Sequence, residues 1–396
     1  MKIYKKTNVY IAAIKRIEYL FSEFDNVVVG FSGGKDSTVT LNLALEVATK
    51  LNRLPLKVIF VDQEAEWQGT IDYVKKVMYD KRVEPMWFQM PMVITNNASS
   101  YNRYAYCWNE DEKDKWIHTK DPISIKENNY GTIRFHELFE AIFKGEFADT
   151  KSCYLSGVRT EEAPKRFVAL THSLTYKYIT WGRILNKKHN HYTFYPLYDW
   201  SYTDVWKYIN SNGIEYNKVY DEMYRHGVSV SNMRISNLHH ETAIQVLLLV
   251  QQIEPQTWNK IVDRIDGASS VKHIKTNSFA CPKELPYMFN SWEEYANHLV
   301  KNIIQEDKNQ KLIQKVIDGK RDIYVDKAIN QKFYKELINT ILSSDWDLTK
   351  IANFEIRPEV NVYRKYKKGD RDKKLLTYRQ YLTTDMINEI LKANTK

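Results

Sequence analysis

The spacing of apolar positions changes several times along the chain, and each change marks an element. From Val9 to Phe24 apolar residues recur at helical spacing, with Ile11, Ile14, Ile17, Phe21 and Phe24 among them. The next run, Val27-Val28-Val29-Gly30-Phe31, is short, β-branched and unbroken, the composition of a strand buried on both faces. Thr38 to Leu51 returns to a helical pattern, and Leu56 to Val61 is a second buried strand ending at Asp62. A helix from about Thr70 to Tyr79 leads to a strand near Pro85–Phe88. Strand and helix alternating in this order predict an α/β fold with a doubly wound, mostly parallel sheet.

Between about 95 and 130 the period is lost, which predicts an irregular insertion that serves as a lid. Gly131 to Lys144 reads as a helix, Ser152 to Gly157 as another sheet strand, and Ser201 to Asn212 as a helix with Ser201 or Thr203 near its N-cap. Glu284 to Ser344 is rich in helical patterns, and Arg357 to Arg379 is strongly basic. The expected organisation is an α/β domain over 1–230, followed by a mainly helical domain with a basic tail over 231–396.

Composition narrows this picture little. The net charge of +9 favours partners that carry phosphate or sulfate, whether nucleotide, nucleic acid or acidic protein. Cys107, Cys153 and Cys281 are far apart with no C-x-x-C pair, so neither a zinc nor an iron–sulfur site is expected, and a reducing compartment is. The N-terminus lacks the apolar core of a signal peptide, and no apolar run is long enough to span a bilayer, so the expectation is a cytoplasmic protein without membrane contact.

The strongest chemical signal is Ser32-Gly33-Gly34-Lys35-Asp36-Ser37, lying between the first strand and its helix. Glycine lets a backbone approach a ligand closely. The free amides and the dipole of the following helix favour an anion at the same point. Ser32 and Ser37 add hydroxyl donors and Lys35 a positive charge, so the loop reads as a cradle for linked phosphates. It is not the Walker loop, since Gly30 to Gly34 is one residue short and Asp36 follows the lysine. An aspartate there repels phosphate unless it holds Mg²⁺ or caps a turn.

The loop resembles the S-G-G-x-D-S motif of the PP-loop ATP-pyrophosphatase superfamily, and within it the phosphoadenosine phosphosulfate (PAPS) reductase branch. The resemblance implies the adenine nucleotide alpha hydrolase-like fold and a nucleotide, ATP or PAPS, bound at the loop. The stretch from Val61 to Thr70 is similar to the family's segment flanking the adenosine, which makes Asp62 either a ligand-binding group or a helix cap. Gly157-Val158-Arg159-Thr160-Glu161-Glu162-Ala163-Pro164-Lys165-Arg166 resembles the family's G-x-R-x-x-E-x-x-x-R stretch. There Arg159 and Arg166 are expected to meet phosphate or sulfate oxygens, and Glu162 to orient an arginine. Pro196 to Asp221 carries a further family landmark, in which Trp200, Val205, Trp206 and Ile209 are expected to pack rather than react. The resemblance implies Lys35, Asp36 and Arg159 as catalytic residues. It implies Ser32, Gly33, Gly34, Lys35, Ser37, Asp62, Arg159 and Arg166 for nucleotide binding, and Asp36 for Mg²⁺.

One departure bears on the reaction. The E-C-G-x-H motif that carries the reductases' catalytic cysteine does not occur in this chain, so thiol-dependent reduction of PAPS is not expected. The whole arrangement resembles the YbdN/IbrA-like group, named as PAPS sulfotransferases with an uncharacterised C-terminal domain. That resemblance implies a ParB/sulfiredoxin-like partner. Three functions follow: an enzyme splitting ATP at its α–β bridge or transferring sulfuryl from PAPS, a nucleic-acid-directed modifier or transcriptional co-regulator, and a nucleotide sensor without turnover. For nucleic acid, the lysines and arginines of 364–374 with Tyr363, Tyr366 and Tyr378 offer charge and stacking; the alternative is a solvated hairpin. The His239-His240 pair and His189 with His191 read as surface histidines rather than metal ligands.

Overall fold

A computed structural model describes residues 6–96, 99, 102, 104–162, 164–171, 174–230, 233–235, 238, 244–269, 280–304 and 306–395. The chain divides into two compact units, Met1–Ala98 with Tyr104–Lys272, and Ser99–Arg103 with His273–Lys396.

In the first unit the strands are β1 (Asn26–Gly30), β2 (Leu56–Val61), β3 (Val83–Phe88), β6 (Ser152–Leu155), β7 (Gly182–Asn186) and β8 (His191–Phe194). They form one sheet in the order β3-β2-β1-β6-β8-β7, parallel except for β7 against β8. Alternation along the strands decides which layer each residue joins. Val27, Val29, Val58 and Phe60 face α1 (Val9–Glu23), α2 (Lys35–Lys50), α3 (Gln68–Met78) and α6 (Tyr202–Ser211), while Val28, Ile59 and Val61 face Leu138, Ile142 and Phe143 of α4 (Phe135–Glu146). Both faces are therefore covered, which is why these strands read as unbroken apolar runs. The α/β class and the mostly parallel sheet are as the pattern foretold. The strand order reverses between the parallel neighbours β1 and β6, and the loops leaving those two strands carry most of the expected site residues.

The insertion is more ordered than expected. β4 (Met92–Thr95) pairs antiparallel with β5 (Tyr104–Cys107), and a 3₁₀ turn follows at Glu110–Lys115. Mixed polar and aromatic residues hide the strand period here, because Tyr106 faces out while Cys107 and Trp108 are buried. Ser201 caps α6 through a capping box with Asp204, which settles the choice between Ser201 and Thr203. Trp200, Val205 and Ile209 lie in the core, with Trp206 packed against it. His189 and His191 are not surface groups: their ring nitrogens meet the carbonyls of Ala148 and Phe147, and His191 is buried. His239 and His240 lie outside the described residues.

The first unit runs past position 230, where the boundary was expected. α7 (Val219–Arg225), α8 (Ile244–Ile253) and α9 (Pro255–Arg264) share one core in which Val219, Tyr220 and Met223 touch Met233, Ile235, Leu247, Val250, Trp258 and Ile261. The second unit comprises α10 (Trp292–Asn302), α11 (Asp307–Arg321), α12 (Lys327–Leu342), α13 (Thr349–Glu355), α14 (Pro358–Lys367) and α15 (Thr384–Ala393), packed around Phe333, Tyr334, Leu337 and Phe354. The basic tail is not a hairpin but α14 and a 3₁₀ segment, Lys373–Tyr381. Tyr363 and Tyr366 are buried in it and so present no free ring for stacking. Among the described residues, no helix is long and apolar enough to cross a membrane.

A chain ending at 272 is expected to unfold cooperatively. One ending at 230 exposes Val219, Tyr220 and Met223, losing about 1.5–3 kcal/mol per uncovered large side chain. Urea titrations of the two truncations, followed by tryptophan fluorescence, check this; equal midpoints contradict it.

Candidate functional site

At the end of β1 the chain turns through Gly33, which has φ +70, into Gly34, the N-cap of α2. Glycine has no side chain to cap the first turn, and no side-chain hydrogen bond caps this helix. Thr38 N bonds Gly34 O at 2.9 Å, and Lys35 N donates to the Tyr220 hydroxyl at 3.1 Å. No described residue accepts a hydrogen bond from the amides of Gly33, Gly34, Asp36 and Ser37. First-turn amides point out along the helix axis, an arrangement suited to an anion. Ser32 and Ser37 bring their hydroxyls 3.3 Å apart beside it.

Packing fixes the turn from two sides. A Cβ on Gly33 would lie 2.9 Å from the Thr70 methyl of α3, and Asn217 donates to both Gly33 O and Thr70 Oγ1, at 3.4 and 2.9 Å. Gly157, in the loop leaving β6, brings its backbone so near that a Cβ there would stand 2.7 Å from the Asp36 carbonyl carbon. The sequence offered a signal for Gly157 in its family motif, though not for this contact.

A ring of charge surrounds the turn. Arg159 is buried and donates through Nε to Asp36 Oδ1 at 2.6 Å and through Nη1 to Glu161 Oε2 at 3.1 Å. Lys35 Nζ lies 3.2 Å from Asp36 Oδ2 and 3.4 Å from Met233 O. Glu162 accepts from Arg159 N and pairs with Arg166, so it orients both arginines. Burial lowers the Lys35 ammonium below its ordinary value; Asp36 opposes that shift, while Arg159 and Arg234 add to it. Arg166 is lowered as well, by burial first and then by Arg234. Arg234, exposed and far away in sequence, is a further member of this cationic group that sequence reasoning missed. Tyr220 and Asn217 were also missed as loop contacts; they stood inside a stretch read as packing.

The structure thus gathers Ser32, Gly33, Gly34, Lys35, Asp36, Ser37, Arg159 and Arg166. It does not bring Asp62 to them as a free ligand group. Asp62 is fully buried: Trp87 Nε1, Gln89 Nε2 and His118 Nε2 meet Oδ2 at 3.1, 2.9 and 3.0 Å, and Glu64 N donates to Oδ1 at 2.9 Å. Its carboxylate closes the turn after β2, the capping alternative in another form. Asp36 fares similarly as a metal ligand. Both its oxygens face cations, and among the described residues no cluster of three His, Cys, Asp or Glu side chains forms a metal site. These contacts do not fit a protein-held Mg²⁺ at Asp36.

Gly157→Ala is expected to displace the Asp36 backbone and cost about 1–3 kcal/mol, read as a lowered urea midpoint. A second expectation concerns Glu66, whose buried carboxyl is raised well above its ordinary value by burial and by Asp62, and whose Oε2 has no described partner. A group with a raised folded value contributes stability below its unfolded value and loses it as pH rises. Glu66→Gln should therefore gain stability relative to the parent as pH climbs above about 4.5; a difference that is flat with pH contradicts this.

The chain is similar to several known proteins. The model of the phosphoadenosine phosphosulfate reductase domain matches residues 26–226, and that of a domain of unknown function, DUF3440, matches residues 227–372. The uncharacterized protein YbdN of Escherichia coli strain K12 is 29% identical over 313 residues, 75% of this chain and 76% of that protein. An adenosine 5'-phosphosulfate reductase of Lysinibacillus sphaericus is 23% identical over 219 residues, 54% of this chain and 77% of that one. A solved structure of a PAPS reductase from Candida auris, a phosphate complex, aligns with TM-score 0.35 and 16% identity over 61% of this chain and 98% of its own. With the loop, the G-x-R-x-x-E-x-x-x-R stretch and the domain match over residues 26–226 in agreement, this chain belongs to the phosphoadenosine phosphosulfate reductase domain family.

Proposed function

We propose that this protein binds the linked phosphates of an adenine nucleotide at the N-terminus of α2 and cleaves ATP between its α- and β-phosphates. One observation carries the reading: the amides of Gly33, Gly34, Asp36 and Ser37 have no described acceptor, in a turn held rigid by Asn217, Thr70 and Gly157. Donors preorganised in this way stabilise charge as it develops, with no reorganisation during the reaction.

The amides and the Ser32 and Ser37 hydroxyls hold the departing pyrophosphate. Lys35, Arg166 and Arg234 supply positive charge around the turn. Arg159 acts through Asp36: the ion pair between them positions the first turn of α2 against the loop that follows β6. Asp36 is therefore a positioning residue in this mechanism, and any Mg²⁺ arrives as part of the nucleotide substrate. An acceptor oxygen or nitrogen attacks the α-phosphorus, the bond to the bridging oxygen breaks, and the acceptor's proton passes to solvent. In the alternative with PAPS, the same donors hold the phosphosulfate while an acceptor oxygen attacks the sulfur, the sulfur–oxygen bond to the 5'-phosphate breaks, adenosine 3',5'-bisphosphate leaves and the acceptor's proton passes to solvent.

A thiol mechanism has no support. Burial pushes the Cys107 and Cys153 thiols well above their ordinary value and that of Cys281 up to about 11, the reverse of what a nucleophilic thiolate needs. The family name and the named relative, an adenosine 5'-phosphosulfate reductase, support a nucleotide of this chemistry without fixing the reaction.

Pyrophosphate release from γ-labelled ATP, measured over a panel of hydroxyl and amine acceptors, tests the reaction. Release is expected from the parent, with Ser37→Ala slower by about tenfold or more at an unchanged urea midpoint. Asp36→Ala is expected to lose both turnover and about 1–3 kcal/mol of stability, because the buried Arg159 loses its 2.6 Å carboxylate partner and keeps only Glu161 and the more distant Glu162. Sulfuryl transfer from labelled PAPS with no pyrophosphate release would select the other route.

A further inference from the structure

Thr70 and Val74 turn one flank of α3 toward Gly33. The other flank, with Gln68, Ile71 and Lys75, lines a cleft of about 800 Å³ at the edge of the sheet. Trp87 of β3, residues from 110–126 and Lys260 of α9 complete its wall. None of the loop's residues lines it.

His118 is one of the lining residues, and its ring is held with unusual firmness. Nε2 lies 3.0 Å from the fully buried Asp62 carboxylate, and the Trp108 ring meets it edge-on at 5.0 Å. Asp62 Oδ2 also accepts from Trp87 Nε1 and Gln89 Nε2, so Nε2 is placed as a third donor to it, and the ring tautomer that donates there has its lone pair on Nδ1. No described residue bonds to Nδ1. A side chain oriented by a buried acid, with its other nitrogen facing a cleft, is arranged to accept a proton donor from a ligand.

The charges around the cleft set the class of that ligand. Lys75 pairs with Asp121 at 2.9 Å and Lys120 with Glu110 at 2.5 Å. Lys113, Lys126 and Lys260 have no described carboxylate partner, against Asp72 and Asp114 on the acidic side, so the lining is left with an excess of one cation. Ile71 and the half-buried Trp116 provide apolar surface beside them. We propose that this cleft is a second ligand site, taking a small aromatic monoanion that also carries a hydroxyl: the acid group meets the lysines, the ring lies by Ile71 and Trp116, and the O–H donates to His118 Nδ1. The site stands apart from the nucleotide reading and does not depend on it.

Calorimetric titration of the full chain with 4-hydroxybenzoate tests this, with benzoate as the probe that lacks the donor. Saturable one-to-one binding is expected, with benzoate weaker by at least about tenfold because the imidazole nitrogen then loses its partner. His118→Phe should weaken 4-hydroxybenzoate by a similar factor, and Lys126→Gln, at an exposed position, by about threefold or more. Saturating ATP should leave the binding unchanged. No saturable binding, equal affinity for benzoate, an unchanged affinity in Lys126→Gln, or displacement by ATP would each overturn the second site. If His118→Phe does not fold, the benzoate comparison and Lys126→Gln decide.

Discussion

A helix that begins without a cap leaves amides that need an acceptor, and α2 begins at Gly34, which has no side chain to supply one. Almost everything around that turn is already satisfied. Tyr220 takes the Lys35 amide, Asn217 holds Gly33 O, and Arg159 and Lys35 share the two oxygens of Asp36. The amides of Gly33, Gly34, Asp36 and Ser37 are the exception. An unmet donor away from water costs on the order of 1–3 kcal/mol, so a preformed turn with several of them is stable chiefly where water or an anion completes it. The cationic ring makes an anion the better completion.

That turn was legible in the sequence because everything defining it is local. Six consecutive residues between a buried strand and a helix state the dihedrals, the donors and the charge together. The parallel sheet was legible for the same reason, since Val27–Val29 and Leu56–Val61 show burial on both faces directly. What escaped were contacts between distant segments. Met233 O on Lys35 and Tyr220 on its amide join residues 198 and 185 positions apart, which no spacing rule reaches. Asp62 was read by its place at a strand end, but Trp87, Gln89 and His118 converge on it only once the insertion folds across the sheet edge. The tail's tyrosines looked available beside their lysines because their burial depends on later packing: Tyr363 is covered by α12 and α13, and Tyr366 by Leu375 and by Ile390 of α15.

The ion pair between Asp36 and Arg159 changes how the motif works. A carboxylate beside a phosphate cradle reads from sequence as a metal ligand. In the folded chain it is the anchor by which the loop after β6 grips the loop after β1 across the point where the strand order reverses. Gly157 permits that approach, and Glu162 carries it outward to Arg166. The proposed nucleotide site is thus a joint between two halves of one sheet. A shift in either loop must be felt in the other, which ties substrate binding to the packing of α2.

The central claim is that linked phosphates are held by the first-turn amides of α2. Crystals of the full chain grown with a non-hydrolysable ATP analogue measure this most directly. The account predicts β- and γ-phosphate oxygens within about 3 Å of the amides of Gly34, Asp36 and Ser37, with the Asp36–Arg159 pair intact beneath them. Phosphates seated elsewhere on the first unit, with those amides still facing solvent, would contradict it.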